Sequence, residues 1–322
     1  MAEKDKNGVH AFPYMKPPEQ TTWEKISTTF YNKSDNTILG RTGKGWCKLL
    51  IFYGLFYIVL GAMFAICMQG LFATLDDTQP SWILDRSLIG TNPGMGFRPL
   101  PDRAEEGALI AFNSKDGTTA DKYVNLLNVF LKDYMNDSLG TNREPCDFDK
   151  RPGEGKVCDV DMKQFMPCTP ENGYGYNTSS PCIFLKLNRI FGWVPEYYND
   201  IDNLPSDMPI DLVEHIKKEY AQDKRRANQV WVSCKGEKSV DEENINDGNT
   251  PNFEYYPRGF ASYYYPFENV KNYLSPLIAV RVLNIKPSIL VNIECRAWAK
   301  NIIYVGSYRD RRGSVHFELM RD

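Results

Sequence analysis

LLIFYGLFYIVLGAMFAICMQGLFATL, from Leu49 to Leu75, carries no charged side chain and a single strongly polar one, Gln69. At about 1.5 Å of rise per residue, roughly 20 apolar residues cross a hydrocarbon core, and this stretch exceeds that with room for tilt. A core helix rarely runs so far without charge, and a signal peptide has a shorter apolar region nearer the start. The stretch is therefore read as one transmembrane helix over residues 49–75. Its flanks set the orientation. Lys33, Arg41, Lys44 and Lys48 precede it, whereas Asp76 and Asp77 follow it, with only Arg86 basic among the next dozen residues. An excess of Lys and Arg marks the cytoplasmic side. Residues 1–48 are expected to be a cytoplasmic tail and 76–322 an extracellular domain, as in a type II single-pass protein.

The outer part is long enough to bury a sizeable core. A formal net charge of −3 gives no basic footprint for nucleic acid, which is excluded as a partner. Cys47 and Cys67 sit beside or inside the span, whereas Cys146, Cys158, Cys168, Cys182, Cys234 and Cys295 all fall outside. Six cysteines in an oxidising compartment suggest three bridges, although about fifteen connectivities are open to them. Nearest-neighbour spacing favours Cys146 with Cys158 and Cys168 with Cys182, leaving Cys234 with Cys295. Metal ligation is the rival, but there is no CxxC pair and His10, His215 and His316 stand far from the cysteines. Sequons at Asn136 and Asn177 are candidate glycan sites on the outer side; a third, at Asn32, lies on the cytoplasmic side and should stay bare.

The first residues, with Pro13, Pro17 and Pro18 among scattered charges, read as a disordered tail with a short helix near Trp23 to Tyr31. GRTGKG, Gly40 to Gly45, fails as a phosphate loop: Ile38 and Gly45 stand where Gly and Ser or Thr are needed. It reads as a flexible basic segment at the headgroups. Gly90 to Pro101 looks like a stalk. A strand is expected at Ala108 to Phe112, then an amphipathic helix over Asp121 to Tyr134, with Tyr123, Leu126, Leu127, Phe130, Leu131 and Tyr134 on one face. Pro145 to Pro181 is a loop-rich, cysteine-laced stretch. Further strands are expected at Cys182 to Asn188, Gln229 to Cys234, Ile278 to Leu283, Ile289 to Ala299 and Ser314 to Met320. In the fourth of these, Val291, Ile293, Cys295 and Ala297 alternate with Asn292, Glu294 and Arg296. In the last, Val315, Phe317 and Leu319 alternate with His316 and Glu318. Period two with one polar face implies an antiparallel, half-solvated sheet, and no strand-helix alternation supports a parallel one. Lys235 to Asn252 is acidic and apolar-poor, and is expected to be an exposed loop.

Catalytic signals are sparse. There is no HExxH or GxSxG, and His316 on its alternating strand reads as a solvated surface residue. Asp159 and Asp161 form a DxD pair, repeated at Asp200 and Asp202, of the kind that holds a divalent ion against a nucleotide sugar. A type II Golgi glycosyltransferase is therefore one alternative, and a cell-adhesion glycoprotein another. The span carries a more specific signal. At about 100° per residue, Tyr53, Gly54, Tyr57, Gly61, Phe64, Ala65 and Met68 fall within roughly a third of its circumference, with Phe52, Leu55, Val59, Met63 and Ile66 opposite. Small residues allow helices to approach closely, and a tyrosine hydroxyl within hydrocarbon is better satisfied by a protein neighbour than by lipid. This face implies a membrane-embedded partner.

LGRTGKGWCKLLIFYGLFY, Leu39 to Tyr57, closely resembles the LGRT...W...FY..FY signature of sodium/potassium-transporting ATPase beta subunits, a family that includes the beta subunit of the proton/potassium pump. The six outer cysteines, PCIFLKLNRIFGW (Pro181 to Trp193), YYYPF (Tyr263 to Phe267), SPLIAVRVLN (Ser275 to Asn284) and IECRAWAKNI (Ile293 to Ile302) extend the resemblance. It implies a single transmembrane helix and a mainly-β ectodomain, an immunoglobulin-like antiparallel β-sandwich with an inserted helix and disulfide-rich loops. The family's cysteine pairing matches the neighbour scheme. The resemblance further implies a plasma-membrane, non-catalytic subunit without a cofactor, which permits folding and delivery of a catalytic alpha subunit and tunes potassium occlusion. A small FXYD-type subunit on the alpha chain and membrane lipid are the other implied partners. No DKTGT motif is present, so the chain could not cycle alone. Tyr53 and Tyr57 match the family's helix-contacting tyrosines. Tyr264, Tyr265 and Pro266 match the start of its outer contact motif YYPYYGK, where Phe267, Glu268 and Asn269 then replace Tyr, Tyr and Gly. The loss of one phenol and the gain of a charge lead to the expectation of an altered outer contact.

Overall fold

The computed structural model describes residues 21–33, 35–101, 107–113, 117–136, 141–245, 252–283, 285–307 and 309–322. The proline-bearing start of the tail, Ser34 and Ser138 of two sequons, and residues 246–251 of the acidic segment lie outside the described residues. Two compact units emerge, Met1–Asp76 and Asp77–Asp322.

In the first unit, helix α1 (Thr22–Phe30) leads into a short antiparallel ribbon of Tyr31–Asn32, Thr37–Ile38 and Arg41–Thr42. Helix α2 then runs over Gly43–Thr74, 32 residues, and is long and apolar enough to cross a membrane. Its start precedes the apolar run because Thr42 caps it, the hydroxyl accepting from the Gly45 amide at 3.3 Å. A capping side chain satisfies one of the orphan amides of a first turn. The expected flexible basic segment is thus half ribbon and half helix. The Trp46 indole also donates to the Ile38 carbonyl at 2.8 Å, tying helix to ribbon.

Among the described residues, the second unit contains nine strands of three residues or more. These are β1 (Met95–Arg98), β2 (Leu109–Phe112), β3 (Cys182–Leu187), β4 (Gln229–Gly236), β5 (Phe253–Tyr256), β6 (Gly259–Ala261), β7 (Ile278–Val282), β8 (Leu290–Trp298) and β9 (Ser314–Arg321). One sheet has the order β5-β7-β3-β1 and the other β6-β4-β8-β9-β2. Every neighbouring pair is antiparallel except β9 with β2, where Leu319 stands opposite Ile110 in parallel register. The expectation of a wholly antiparallel sandwich is corrected there. Helix α3 (Gly117–Leu131) follows β2 and carries the chain away, so that β9 arrives later along a free edge. The stalk reading of Gly90 to Pro101 is corrected as well: its centre is β1, with Met95 and Phe97 turned into the core.

The two sheets enclose one core, with the Phe97 ring 5.4 Å from that of Phe317 across it. Val291, Ile293, Cys295 and Ala297 of β8 join Val315, Phe317 and Leu319 of β9 in this layer. Helix α3 covers one end through Ala120, Tyr123, Leu127 and Leu131. Three disulfides are present: Cys146–Cys158, Cys168–Cys182 and Cys234–Cys295, the last joining directly opposed positions of β4 and β8. This is an immunoglobulin-like two-sheet sandwich with loops laced by bridges.

The outer face of the larger sheet is not half-solvated. Helix α4 (Ile210–Gln222), unforeseen in the sequence, lays Leu212 and Ile216 with Met208 against Trp231 and Trp298. Helix α5 (Ser239–Ile245) stands where a loop was expected, with Ile245 fully buried and Asp241 accepting from the Asn292 amide at 3.0 Å. Between these lies a polar network. Glu294, only 4 % exposed, accepts from Arg311 at 3.0 Å, Tyr304 at 3.0 Å and Ser314 at 2.8 Å. Arg311 also reaches Glu237 at 2.6 Å, and His316 lies 2.8 Å from Glu237 and 3.6 Å from Glu318. His316 therefore sits half-buried among the carboxylates of this network and is not a solvated surface residue. Burial by itself would raise the Glu237 carboxyl, but the Arg311 hydrogen bond and the neighbouring His316 and Arg311 outweigh it and hold the carboxyl below its ordinary range.

Two outcomes follow from this network. Arg311→Met strands a buried carboxylate, and such losses cost about 3–5 kcal/mol; thermal unfolding of the purified protein should begin well below the wild-type midpoint. Glu237, with a lowered folded pKa, contributes stability that is present above its unfolded value and lost as pH falls through the folded one. Glu237→Gln should accordingly flatten the acid limb of the stability profile below about pH 4.5, where carboxylates protonate.

Candidate functional site

Two surfaces gather the residues singled out by the sequence. The first is the tyrosine-and-glycine face of α2. Every described side chain of this helix is exposed or half-exposed, and none is buried against the rest of the chain. Tyr53 and Tyr57 lie one turn apart with ring centroids 6.2 Å from each other and planes inclined by 26°. Their hydroxyls have no hydrogen-bond partner among the described residues. Tyr57 is 62 % exposed and Phe64 65 %. A side chain added at Gly54 or Gly61 would meet nothing within 4 Å, so both positions face open space. The missing side chain at Gly61 leaves a groove of about 550 Å³ lined by Tyr57, Leu60, Gly61, Met63, Phe64 and Cys67. Leu60 and Cys67 belong to this groove although the spacing argument passed over them, and Met63, placed opposite by the wheel, forms its margin. The signal was present in the sequence as the i, i+3, i+4 and i+7 spacing of Leu60, Met63, Phe64 and Cys67.

A helix in hydrocarbon satisfies its own backbone, so what the groove offers a neighbour is its shape and the Tyr57 phenol. Its apolar walls admit a ridge of another helix, and the absent Cβ at Gly61 permits close backbone approach.

The second surface is built on Tyr263 to Asn269. A 3₁₀ turn over Ser262–Tyr264 follows β6, and the Tyr265–Pro266 bond is cis. Tyr264 turns into the core, its hydroxyl donating to the Asp159 carbonyl at 3.1 Å. Tyr265 packs edge-on against Trp193 at 5.7 Å, and its buried hydroxyl finds no hydrogen-bond partner among the described residues. Burial drives the phenol pKa of both well above the ordinary value. Phe267 is held half-buried by Phe191 and Tyr273, at centroid distances of 6.5 and 5.0 Å. The Arg189 guanidinium lies over both Phe267, at 5.4 Å, and Tyr273, at 5.2 Å, and donates to the Ser275 hydroxyl at 2.8 Å. A cation over two ring faces is favourable and fixes ring orientation. Tyr273 is pushed up to about 12, chiefly by burial, with Arg189 opposing. Glu268 and Asn269 are exposed, and Asn269 donates to the Thr78 carbonyl at 3.2 Å.

Tyr264 therefore sets the motif in place from within and Tyr265 anchors it by its buried hydroxyl, while Tyr265, Pro266 and Phe267 are half-buried and Glu268 and Asn269 are exposed. Beside them a cavity of about 250 Å³ opens between Tyr265, Pro266 and Glu268 and the Arg151 to Lys156 loop closed by Cys146–Cys158. Arg189 and this loop were not foreseen as neighbours of the motif, because their proximity depends on the sheet and the bridge. The two DxD pairs serve local turns: Asp161 accepts from the Lys163 amide at 2.9 Å and Asp200 from the Asp202 amide at 3.3 Å. Of the sequon asparagines, Asn177 is exposed and Asn136 half-buried.

Residues 16–317 match the family model described as "Sodium / potassium ATPase beta chain". Two Drosophila melanogaster proteins, sodium/potassium-transporting ATPase subunits beta-1 and beta-2, are each 46% identical to this chain. The first alignment covers 98% of this chain and 99% of its relative, the second 96% and 95%. The human subunit beta-2 is 30% identical over 90% of this chain and 91% of its own length. A family match across most of the sequence, on a bridged sandwich that follows one membrane-length helix, shows that the chain belongs to the sodium/potassium ATPase beta chain family.

Proposed function

We propose that this chain is the non-catalytic subunit of a sodium/potassium-transporting P-type ATPase. In this reading it binds the catalytic alpha subunit, supports its folding and delivery to the plasma membrane, and tunes potassium occlusion. The observation that carries the reading is the uncovered face of α2, where Tyr57 lines a groove at Gly61 and Tyr53, one turn earlier, likewise leaves its hydroxyl without a partner among the described residues. Such a face is unfavourable toward lipid and well suited to the helices of a multispan protein. Tyr53, Gly54, Tyr57, Gly61 and Phe64 are the inner contact. Pro266 and Phe267, seated by Tyr264 and Tyr265, are the outer one. Glu268 in place of a phenol gives that outer contact a charge of its own. A small FXYD-type subunit would reach the assembly through the alpha chain.

Membrane topology follows from the flanking charges, with Lys33, Arg41, Lys44 and Lys48 on the cytoplasmic side and the bridged domain outside. The bridges agree with this placement, since disulfides persist in oxidising compartments.

Two measurements test these points. Tyr57→Ala with Gly61→Leu fills the groove and removes a hydroxyl, and interhelical contacts of this kind are worth about 1–2 kcal/mol. Copurification of the catalytic subunit from mild detergent should drop about tenfold, by the usual conversion of free energy to affinity; unchanged recovery would refute the contact face. Asn136→Gln and Asn177→Gln should each remove one glycosidase-sensitive step in apparent mass, whereas Asn32→Gln should leave it unaltered. Loss of a step on replacing Asn32 would reverse the topology.

A further inference from the structure

The segment that links the span to β1 displays apolar side chains in an unusual place. The Gly90 amide donates to the Ser87 carbonyl at 3.2 Å and the Ile89 amide to the Ser87 hydroxyl at 3.3 Å, which closes a turn over Ser87, Leu88, Ile89 and Gly90. Gly90, at φ +73, takes the left-handed conformation that follows the turn. Central positions of turns are ordinarily filled by Gly, Pro, Asn, Asp or Ser. Here they are Leu88 and Ile89, with relative exposures of 107% and 76%. Trp82, 61% exposed, precedes them by one short 3₁₀ turn over Leu84–Arg86. Beyond residues 82–89, the exposed large apolar side chains described in this unit stand singly along the sequence.

The turn is not a loose end. Leu84 packs against the sandwich core, and the Thr78 carbonyl accepts from Asn269, so the segment is held at two points. A structural reason for the apolar tip is absent, since Leu88 and Ile89 contribute nothing to the core.

We propose that residues 82–89 dock the bridged domain onto the outer lipid surface, with the Trp82 indole at headgroup level and the Leu88-Ile89 tip in the acyl boundary. This rests on the membrane reading of α2. Three observations favour lipid over a protein partner. The segment continues directly from the span, Trp82 following Thr74 by eight residues and Leu88 by fourteen. An amphipathic indole prefers the membrane interface. The tip offers only Leu88 and Ile89 beside Trp82, whereas a specific protein interface buries roughly 1,200 Å² and a fluid lipid surface accepts a small apolar tip. Between Leu75 and Pro101 the charged residues are Asp76, Asp77, Asp85, Arg86 and Arg98, so no basic cluster recruits anionic lipid. The contact is apolar insertion into a zwitterionic leaflet.

The test uses the full chain copurified with its catalytic subunit in phosphatidylcholine nanodiscs. A nitroxide is placed by Leu88→Cys on a Cys47→Ser background that keeps Cys67 because it lines the α2 groove, the signal of a labelled preparation without Leu88→Cys being subtracted, with Val240→Cys on the exposed side of α5 as the water reference. Power saturation should show oxygen collisions at position 88 exceeding those of a water-soluble nickel chelate several-fold, and the reverse at position 240. A nickel preference at position 88 places the tip in water and overturns the proposal. Low access to both relaxants with an immobilised spectrum places it against the catalytic subunit and overturns it equally. Recovery of the catalytic subunit in the same preparation is scored separately: its loss with oxygen preference retained refutes the assembly reading and leaves the lipid contact standing.

Discussion

A helix that crosses hydrocarbon satisfies its own backbone hydrogen bonds, so the only language left to it for recognition is shape and a few polar side chains. In α2 that language is confined to one face. Tyr53 and Tyr57 place phenols one turn apart, and Gly61 removes a side chain beside them, leaving a groove with apolar walls. Both features are costs for a helix that meets only lipid. The phenols lack partners, and the glycine weakens the helix by roughly 1 kcal/mol relative to alanine in soluble hosts. A neighbouring helix turns each cost into an interaction. The family to which the chain belongs is consistent with such a neighbour, and the stripe identifies where it would sit.

The outer domain holds the Tyr263 to Asn269 segment, the proposed outer contact, in one place. The sandwich does so by placing aromatic groups behind the motif. Tyr264 hydrogen-bonds to the Asp159 carbonyl, Tyr265 wedges against Trp193, and Arg189 lies over Phe267 and Tyr273. The Cys146–Cys158 bridge closes the loop that faces them. The conspicuous tyrosines of the motif are thus largely its foundation, with Pro266 and Phe267 half-buried beside them and Glu268 and Asn269 exposed. A replacement at Phe267 or Glu268 alters what a partner meets, whereas one at Tyr264 alters whether the loop is positioned at all.

Much of this was legible from local pattern. The span declared itself by length and lack of charge. Strands β2, β3, β4, β7, β8 and β9 followed from apolar runs or period-two alternation, and α3 from i, i+3, i+4 spacing. What escaped depends on contacts distant in sequence. β1 hides among glycines and prolines because only its pairing with β3 makes it a strand. Helix α4 presents just Leu212 and Ile216 to Trp231 and Trp298, too narrow a stripe to stand out among its charges. The parallel β9–β2 edge cannot be read from either strand alone. Glu294 looked solvent-facing by alternation, yet Arg311, Tyr304 and Ser314, all later in the chain, enclose it. At the candidate site, sequence named the face of α2 but not the groove margin at Leu60, Met63 and Cys67, which is a matter of side-chain reach.

The central claim is that the Tyr53–Gly61–Phe64 stripe is a protein-binding surface. The most direct measurement is an electron cryomicroscopy map of the assembly purified with this chain, resolved well enough to trace helices in the membrane. The account predicts helices of a second polypeptide packed into the groove, with a hydrogen-bond acceptor within reach of the Tyr57 hydroxyl. Density for acyl chains alone along that stripe, in an otherwise complete assembly, would contradict it.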